Sequence, residues 1–134
     1  MESFLTETQI KVLKLRKKGL TQEEIAKLLG TSRANISMIE KRAKENIKKA
    51  YNTIKIYNMI IAPVSIEIDE GIDVLEIPKI VFKKADEENI KVKYNTLELI
   101  DLIKEKASDF IENRITTKKF KIYILENGDV EISR

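Results

Sequence analysis

Two capping boxes, Thr6-Glu7-Thr8-Gln9 and Thr21-Gln22-Glu23-Glu24, flank Gly19, and a second glycine, Gly30, precedes Thr31-Ser32. In such a box the threonine hydroxyl accepts from the backbone three residues on, while the Gln or Glu side chain reaches back, so each box starts a helix at one register. Glycine suits the left-handed end of a helix, and Lys17 and Lys18 complement the terminal dipole just before Gly19. The spacing therefore predicts a first helix from the Thr6 cap, with Ile10, Val12, Leu13, Leu15 and the stem of Arg16 on its apolar face. It predicts a second helix carrying Ile25, Ala26, Leu28 and Leu29 up to Gly30. A third, capped by Thr31 or Ser32, turns Ile36, Ile39 and Ala43 inward.

The third helix has no stop signal where a small trihelical unit would need one. No proline or glycine occurs from Thr31 to Ala62, and Ile36, Ile39, Ala43, Ile47 (or Asn46), Ala50, Ile54, Tyr57 and Ile61 step by three or four. This heptad-like stripe predicts a helix of up to ~40 Å, ended by Pro63, that packs on a partner helix or on the C-terminal half.

Beyond Pro63 the period shortens. Val64, Ile66 and Ile68 alternate, as do Ile72 and Val74 and, after one slip, Leu75 and Ile77, which predicts two strands around Glu70-Gly71. Pro78 opens an expected helix to about Asn89, Ile90 to Tyr94 reads as a strand, and Asn95 or Thr96 caps a helix running through Phe110 and Ile111. Asn127-Gly128 between two alternating runs predicts a hairpin. The expected fold is α+β: residues 1–62 form an N-terminal trihelical domain with an extended third helix, and 63–134 a small C-terminal α+β domain.

Composition narrows the chemistry. The 134 residues include no cysteine, hence no disulfide or thiolate metal site, and no histidine, the commonest general base. No run approaches a membrane span, and MESFLTETQ lacks the features of a signal peptide, so a cytoplasmic location is expected. Residues 1–60 hold thirteen Lys or Arg against six Glu, net +7, whereas 61–134 hold twelve against sixteen acids, net −4. That asymmetry predicts a polyanion-binding half joined to a half with another task. The Ile-, Lys- and Glu-rich composition is compatible with a thermophile and equally with AT-rich coding.

Two short helices joined by a tight turn containing glycine define a helix-turn-helix. Ala26 is small where the helices cross, Gly30 supplies the turn, and Ile25, Leu29, Ile36 and Ile39 are the expected shared core. The third helix then directs Ser32, Arg33, Asn35, Ser37, Lys41 and Arg42 outward, with Thr31 at its start. Arginine forks onto guanine and asparagine onto adenine in the major groove, and later basic residues meet phosphates. Thr21 and Gln22 open the second helix, where donors suit a phosphate. The DNA-binding candidates are thus Thr21, Gln22, Thr31, Ser32, Arg33, Asn35, Ser37, Lys41 and Arg42. The alternative is a solvated polar face.

The segment LTETQIKVLKLRKKGLTQEEIAKLLGTSRANISMIEKRAKENI resembles the N-terminal domain of Tfx-type archaeal transcriptional regulators. More distantly it is similar to region 4 of sigma factors and to LuxR-type DNA-binding domains. GIDVLEIPKIVFKKADEENIKVKYNTLELIDLI is similar to the Tfx C-terminal domain. The resemblance implies a sequence-specific DNA-binding transcription factor with double-stranded DNA as partner.

A homodimer is expected, with the long helix and the C-terminal sheet edge as candidate interfaces. A competing reading is a protein-interaction adaptor built on the trihelical domain, which requires an apolar outer face; only Met38 qualifies. An enzyme is not expected. Asp69, Glu70 and Asp73, or Asp86-Glu87-Glu88, lack the spacing of a calcium loop, and neither a cofactor nor a metal is called for.

Overall fold

The computed structural model describes residues 1–133. The chain divides into two compact units, Met1–Ile54 and a second beginning at Lys55, and one long helix runs through the division.

In the first unit the capping boxes act as the sequence predicts. Thr6 accepts from Gln9 N–H at 3.1 Å and Gln9 returns the bond at 3.0 Å, starting α1 (Glu7–Lys17). Thr21 and Glu24 do the same for α2 (Gln22–Leu29). Gly30 ends α2 at φ 69°, a conformation that costs a side chain about 1–2 kcal/mol, and no heavy atom crowds it. Ser32 then caps α3 (Arg33–Ile61) by accepting from Asn35 N–H at 3.1 Å.

Val12, Ile25 and Ile36 are wholly buried, one from each helix, beside Ala26 and ringed by Leu15, Leu20, Leu29 and Ile39. Each large member contributes on the order of 1.5–3 kcal/mol. The expected core of Ile25, Leu29, Ile36 and Ile39 is present. The 29 residues of α3 extend roughly 43 Å at 1.5 Å each, ending before Pro63, whose ring disfavours helix at the preceding residue.

The second unit is a three-stranded antiparallel sheet with helices packed on it. β1 (Val64–Ile68) pairs with a central strand, Phe120–Ile124, which also pairs with Val130–Ser133 across the Asn127-Gly128 turn. The register sets Val64 opposite Ile124 and Ile68 opposite Phe120, and Ile124 opposite Val130. Alternation then sends Val64, Ile66, Ile68, Phe120, Ile122 and Ile124 into one core with Val81, Leu99 and Ile103 of the helices.

Three sequence expectations fail here, each for a local reason. Ile72–Ile77 is not a strand: Asp73 accepts from Leu75 N–H at 2.9 Å, starting a 3-10 turn, Val74–Glu76, that runs into α4 (Ile77–Glu87). Val74, Ile77, Val81 and Ala85 are all buried, so a helical period overrides the short alternation. Ile90–Tyr94 is not a strand either. It is held instead by Lys93 N–H donating to Gly128 O at 2.9 Å and Tyr94 Oη donating to Asp129 Oδ1 at 2.6 Å. That bond, with burial and nearby acids, raises the Tyr94 hydroxyl to about 12.

Finally, α5 (Thr96–Lys106), boxed by Asn95 and Glu98, stops short of Phe110 and Ile111. A 3-10 turn at Ser108–Phe110 leads into β2 (Ile111–Glu112), which pairs with β3 (Ile115–Thr116). The intervening Asn113 and Arg114 both take positive φ, at 49° and 71°, a hairpin geometry that arginine does not advertise. The buried Thr116 hydroxyl donates to Asp69 O at 2.7 Å and accepts from Ile72 N–H at 2.8 Å, fastening the loop after β1. The remaining strands are β4 (Phe120–Ile124) and β5 (Val130–Ser133).

Gly128 has both a positive φ of 88° and the Lys91 carbonyl directly against the place of a Cβ. Gly128→Ala should therefore destabilise the second unit by ~3 kcal/mol or more, whereas Gly30→Ala costs the first about 1 kcal/mol. Hydrogen exchange read separately in each unit measures both; equal losses would contradict the backbone contact.

Candidate nucleic-acid interface

The first unit is organised around a carboxylate that the sequence reading passed over. Glu40, one turn below Ile36 on α3, is 5% exposed. Arg16 Nε of α1 lies 3.0 Å from its Oε2, Lys44 Nζ lies 3.1 Å from Oε1, and Gln22 Nε2 of α2 donates at 3.3 Å. Arg16 also donates to Leu20 O at 3.0 Å, tying the link before α2 into the cluster. Burial alone would raise the Glu40 carboxyl. Hydrogen bonds from Lys44 and Gln22, with the charge of Arg16, outweigh it and hold the group below its ordinary value. The signal available in the sequence was a charged residue on the core face of an amphipathic helix, at i+4 from Ile36.

Around this cluster the candidate residues sort into two groups. Thr21, Gln22 and Arg33 line one depression with Arg16 and Glu23. Gln22, Ser37 and Lys41 line an adjoining one with Glu40, Lys44, Glu45 and Lys48. Gln22 belongs to both, so the start of α2 and one flank of α3 form a continuous surface. Lys44 and Lys48 extend it and were missed by the sequence reading. They sit three and seven residues beyond Lys41, on the same side of a helix with 3.6 residues per turn.

The second group lies on the other flank. Asn35 Nδ2 donates to Thr31 Oγ1 at 3.0 Å, and Ser32 caps Asn35 N–H, so Thr31, Ser32 and Asn35 are one exposed hydrogen-bonded set. Arg42, seven residues from Asn35, shares its flank. Between the flanks Ala34, Met38 and Glu45 face outward, Met38 being 48% exposed. Two side chains are already occupied: the Gln22 amide by Glu40 and the Asn35 amide by Thr31. Thr21 is both the cap of α2 and a wall of the first depression.

Comparisons with known proteins place the chain in a family. Residues 50–132 match the family profile described as "DNA-binding protein, TFX, C-term", and residues 3–49 match "Sigma-70, region 4". Over 131 residues, 98% of this chain and 96% of the relative, the protein is 85% identical to a "Putative transcriptional regulatory protein" of Methanocaldococcus jannaschii. It is 57% identical over 132 residues to a protein of the same name from Methanococcus vannielii, covering 98% of this chain and 93% of that one. It is 37% identical over 129 residues to "DNA-binding protein Tfx" of Methanothermobacter marburgensis, covering 96% and 94%.

The fold and these matches define a DNA-binding transcriptional regulator built on a helix-turn-helix. The chain belongs to the Tfx family, and these three relatives are archaeal.

Glu40→Ala should destabilise the first unit by about 1–2 kcal/mol. This is below the ~3–5 kcal/mol of a fully buried pair, because Arg16 at 41% exposure can return to water. The lowered pKa also fixes a sign. The carboxylate contributes stability above the pH at which the unfolded group titrates, and this is lost as pH falls through the folded value. Glu40→Gln should flatten the acid limb of the unit's stability curve, measured by denaturant unfolding from pH 7 to 3; an unchanged limb would contradict the network.

Proposed function

We propose that the protein is a sequence-specific transcriptional regulator that binds duplex DNA as a homodimer, with residues 32–44 in the major groove. The observation that carries this reading is the continuous surface shared by the start of α2 and one flank of α3. It brings Thr21, Gln22, Arg33, Ser37 and Lys41 together, with Lys44 and Lys48 adding charge.

In this reading Arg33, at the first turn of α3, reaches a guanine edge, and Ser37 meets the groove wall one turn later. The Thr21 hydroxyl and the free N–H groups at the start of α2 take a phosphate. The Gln22 side chain acts indirectly, by holding that helix start against Glu40. Lys41, Lys44 and Lys48 on one flank and Arg42 on the other neutralise the two phosphate strands. Asn35 reads adenine after releasing Thr31; the exchange replaces one exposed hydrogen bond by two in a bidentate pair. Thr31 and Ser32 remain structural, with Ser32 near enough to the groove for a phosphate contact.

The DNA-binding part is residues 1–62. Residues 63–134, with their net negative charge, form the regulatory part, without catalysis and in the cytoplasm. Helices long and apolar enough to cross a membrane are absent among the described residues. An adaptor role is not favoured, since the outward face of residues 32–45, the part of α3 inside the trihelical unit, is polar apart from Ala34 and Met38.

Selection from random duplexes with the full-length protein tests the reading: an inverted repeat should emerge, bound more weakly as salt rises. On the selected site, Arg33→Ala should cost about 1–3 kcal/mol and relax preference at one base position. Lys41→Ala should weaken all sequences alike and lower the salt slope by about 1. Equal losses on every sequence for Arg33→Ala would remove it as a base reader.

A further inference from the structure

We infer that the stripe on α3 from Ile47 to Ile61 is the seam of a parallel two-stranded homodimer; the inference rests on the dimeric DNA-binding reading above. Ile47, Ala50, Ile54, Tyr57 and Ile61 follow one another at steps of three, four, three and four. That is a heptad repeat with isoleucine at every a position and Ala50 and Tyr57 at d. β-branched residues at a, combined with leucine at d, favour two parallel strands, and this stripe carries the a half of that pattern. The same phase places Ile36 and Ala43 at d and Glu40 at a, all three buried. The face that packs inside the trihelical core thus continues along α3 into water, where Ile47 is 39% exposed, Ile54 59%, Tyr57 59% and Ile61 56%.

Charge identifies the occupant as a second copy. From Asn46 to Ile61 the charged residues are Lys48, Lys49 and Lys55, with no acid. They fall at b, c and b, pointing away from the seam. The flanking e and g positions hold Asn46, Tyr51, Thr53, Asn58 and Ile60. Two copies of this lysine-bearing helix therefore meet without opposing like charges, while an acidic partner helix would find no lysine along the line of contact.

The N-terminal segment lies along the seam at Ala50 and adds apolar area there. Asn46 Nδ2 donates to Phe4 O at 3.2 Å, and Phe4, 80% exposed, lines one apolar groove with Ile47, Ala50, Tyr51 and Ile54 and a second with Asn46, Ala50 and Thr53. Six side chains of order 100 Å² each, counted on two protomers, give ~1,200 Å², the lower edge of specific interfaces.

The absence of native cysteine makes the test direct. In the full-length chain, Ile47→Cys, Ile54→Cys and Ile61→Cys should each form a disulfide-linked dimer under mild oxidation, because a parallel register sets every a position against its own copy. Met38→Cys, exposed on the same helix but off the seam, should not. Ile54→Lys should weaken the dimer at least tenfold in sedimentation equilibrium and abolish preference for the inverted repeat, while keeping affinity for a single half-site within about twofold. Cross-linking at only one of the three positions would indicate crossed or antiparallel helices and overturn the parallel seam. A wild-type dimer with no cross-link at any of them would overturn the seam and leave the dimeric regulator standing. A wild-type monomer that still selects a half-site would overturn the dimer altogether. Cross-links at all three positions without any selected DNA would uphold the seam and defeat the DNA-binding reading alone.

Discussion

Burying the Glu40 carboxylate takes a charge out of water, a cost that its partners offset only if three helices are held together. Arg16 comes from α1, Gln22 from α2 and Lys44 from α3 itself, so no pair of helices satisfies the group alone. The apolar core of Val12, Ile25 and Ile36 is small and tolerant of sliding, because methyl groups pack in more than one register. A buried carboxylate is less forgiving. An ångström of displacement leaves a donor out of hydrogen-bond range and a charge unpaired. The angle between α2 and α3, on which any groove-reading role depends, is thus set by a polar contact laid over a hydrophobic one.

The same contact shapes the surface. Arg16 and Lys44 border the depressions that carry the candidate DNA contacts, and Glu40 partly neutralises both. The cations left without a bridge to Glu40 are Arg33, Lys41 and Lys48, spread over the start and middle of α3. A polyanion approaching that flank meets Arg16 and Lys44 already oriented by the network, beside the unbridged Arg33, Lys41 and Lys48. Orientation before contact reduces the conformational entropy lost on binding.

The first unit was legible in the sequence because its signals are local. A capping box names its own partners three residues apart, and Gly30 marks the left-handed turn, so Thr6, Thr21 and Gly30 could each be read singly. The hairpin at Asn127-Gly128 was legible for the same reason. The failures are non-local or chemically unusual. Whether Ile90–Tyr94 becomes a strand depends on contacts 35 residues away, where Gly128 O and Asp129 hold it as a loop. The Asn113-Arg114 turn puts an arginine at positive φ, held by its bridge to Asp73 at 3.1 Å. Asp73 itself looked like a turn acid and instead starts the 3-10 turn before α4. Of the candidate site, residue types and helix register were legible. The commitment of Gln22 and Asn35 to internal partners was not, nor was Glu40, whose burial needs Arg16, twenty-four residues earlier.

The long helix poses the remaining physical question. A heptad phase that begins with Ile36 and Ala43 inside the core is not needed beyond it, yet Ile47, Ile54 and Ile61 keep it while every lysine of that stretch stays off the line. A solvated helix of this composition gains nothing from such segregation; its polar and apolar residues could be mixed freely, and exposed isoleucine is unfavourable both to solubility and to helix propensity. The pattern fits a helix whose inner half is covered by its own chain and whose outer half, as proposed above, is covered by a second copy.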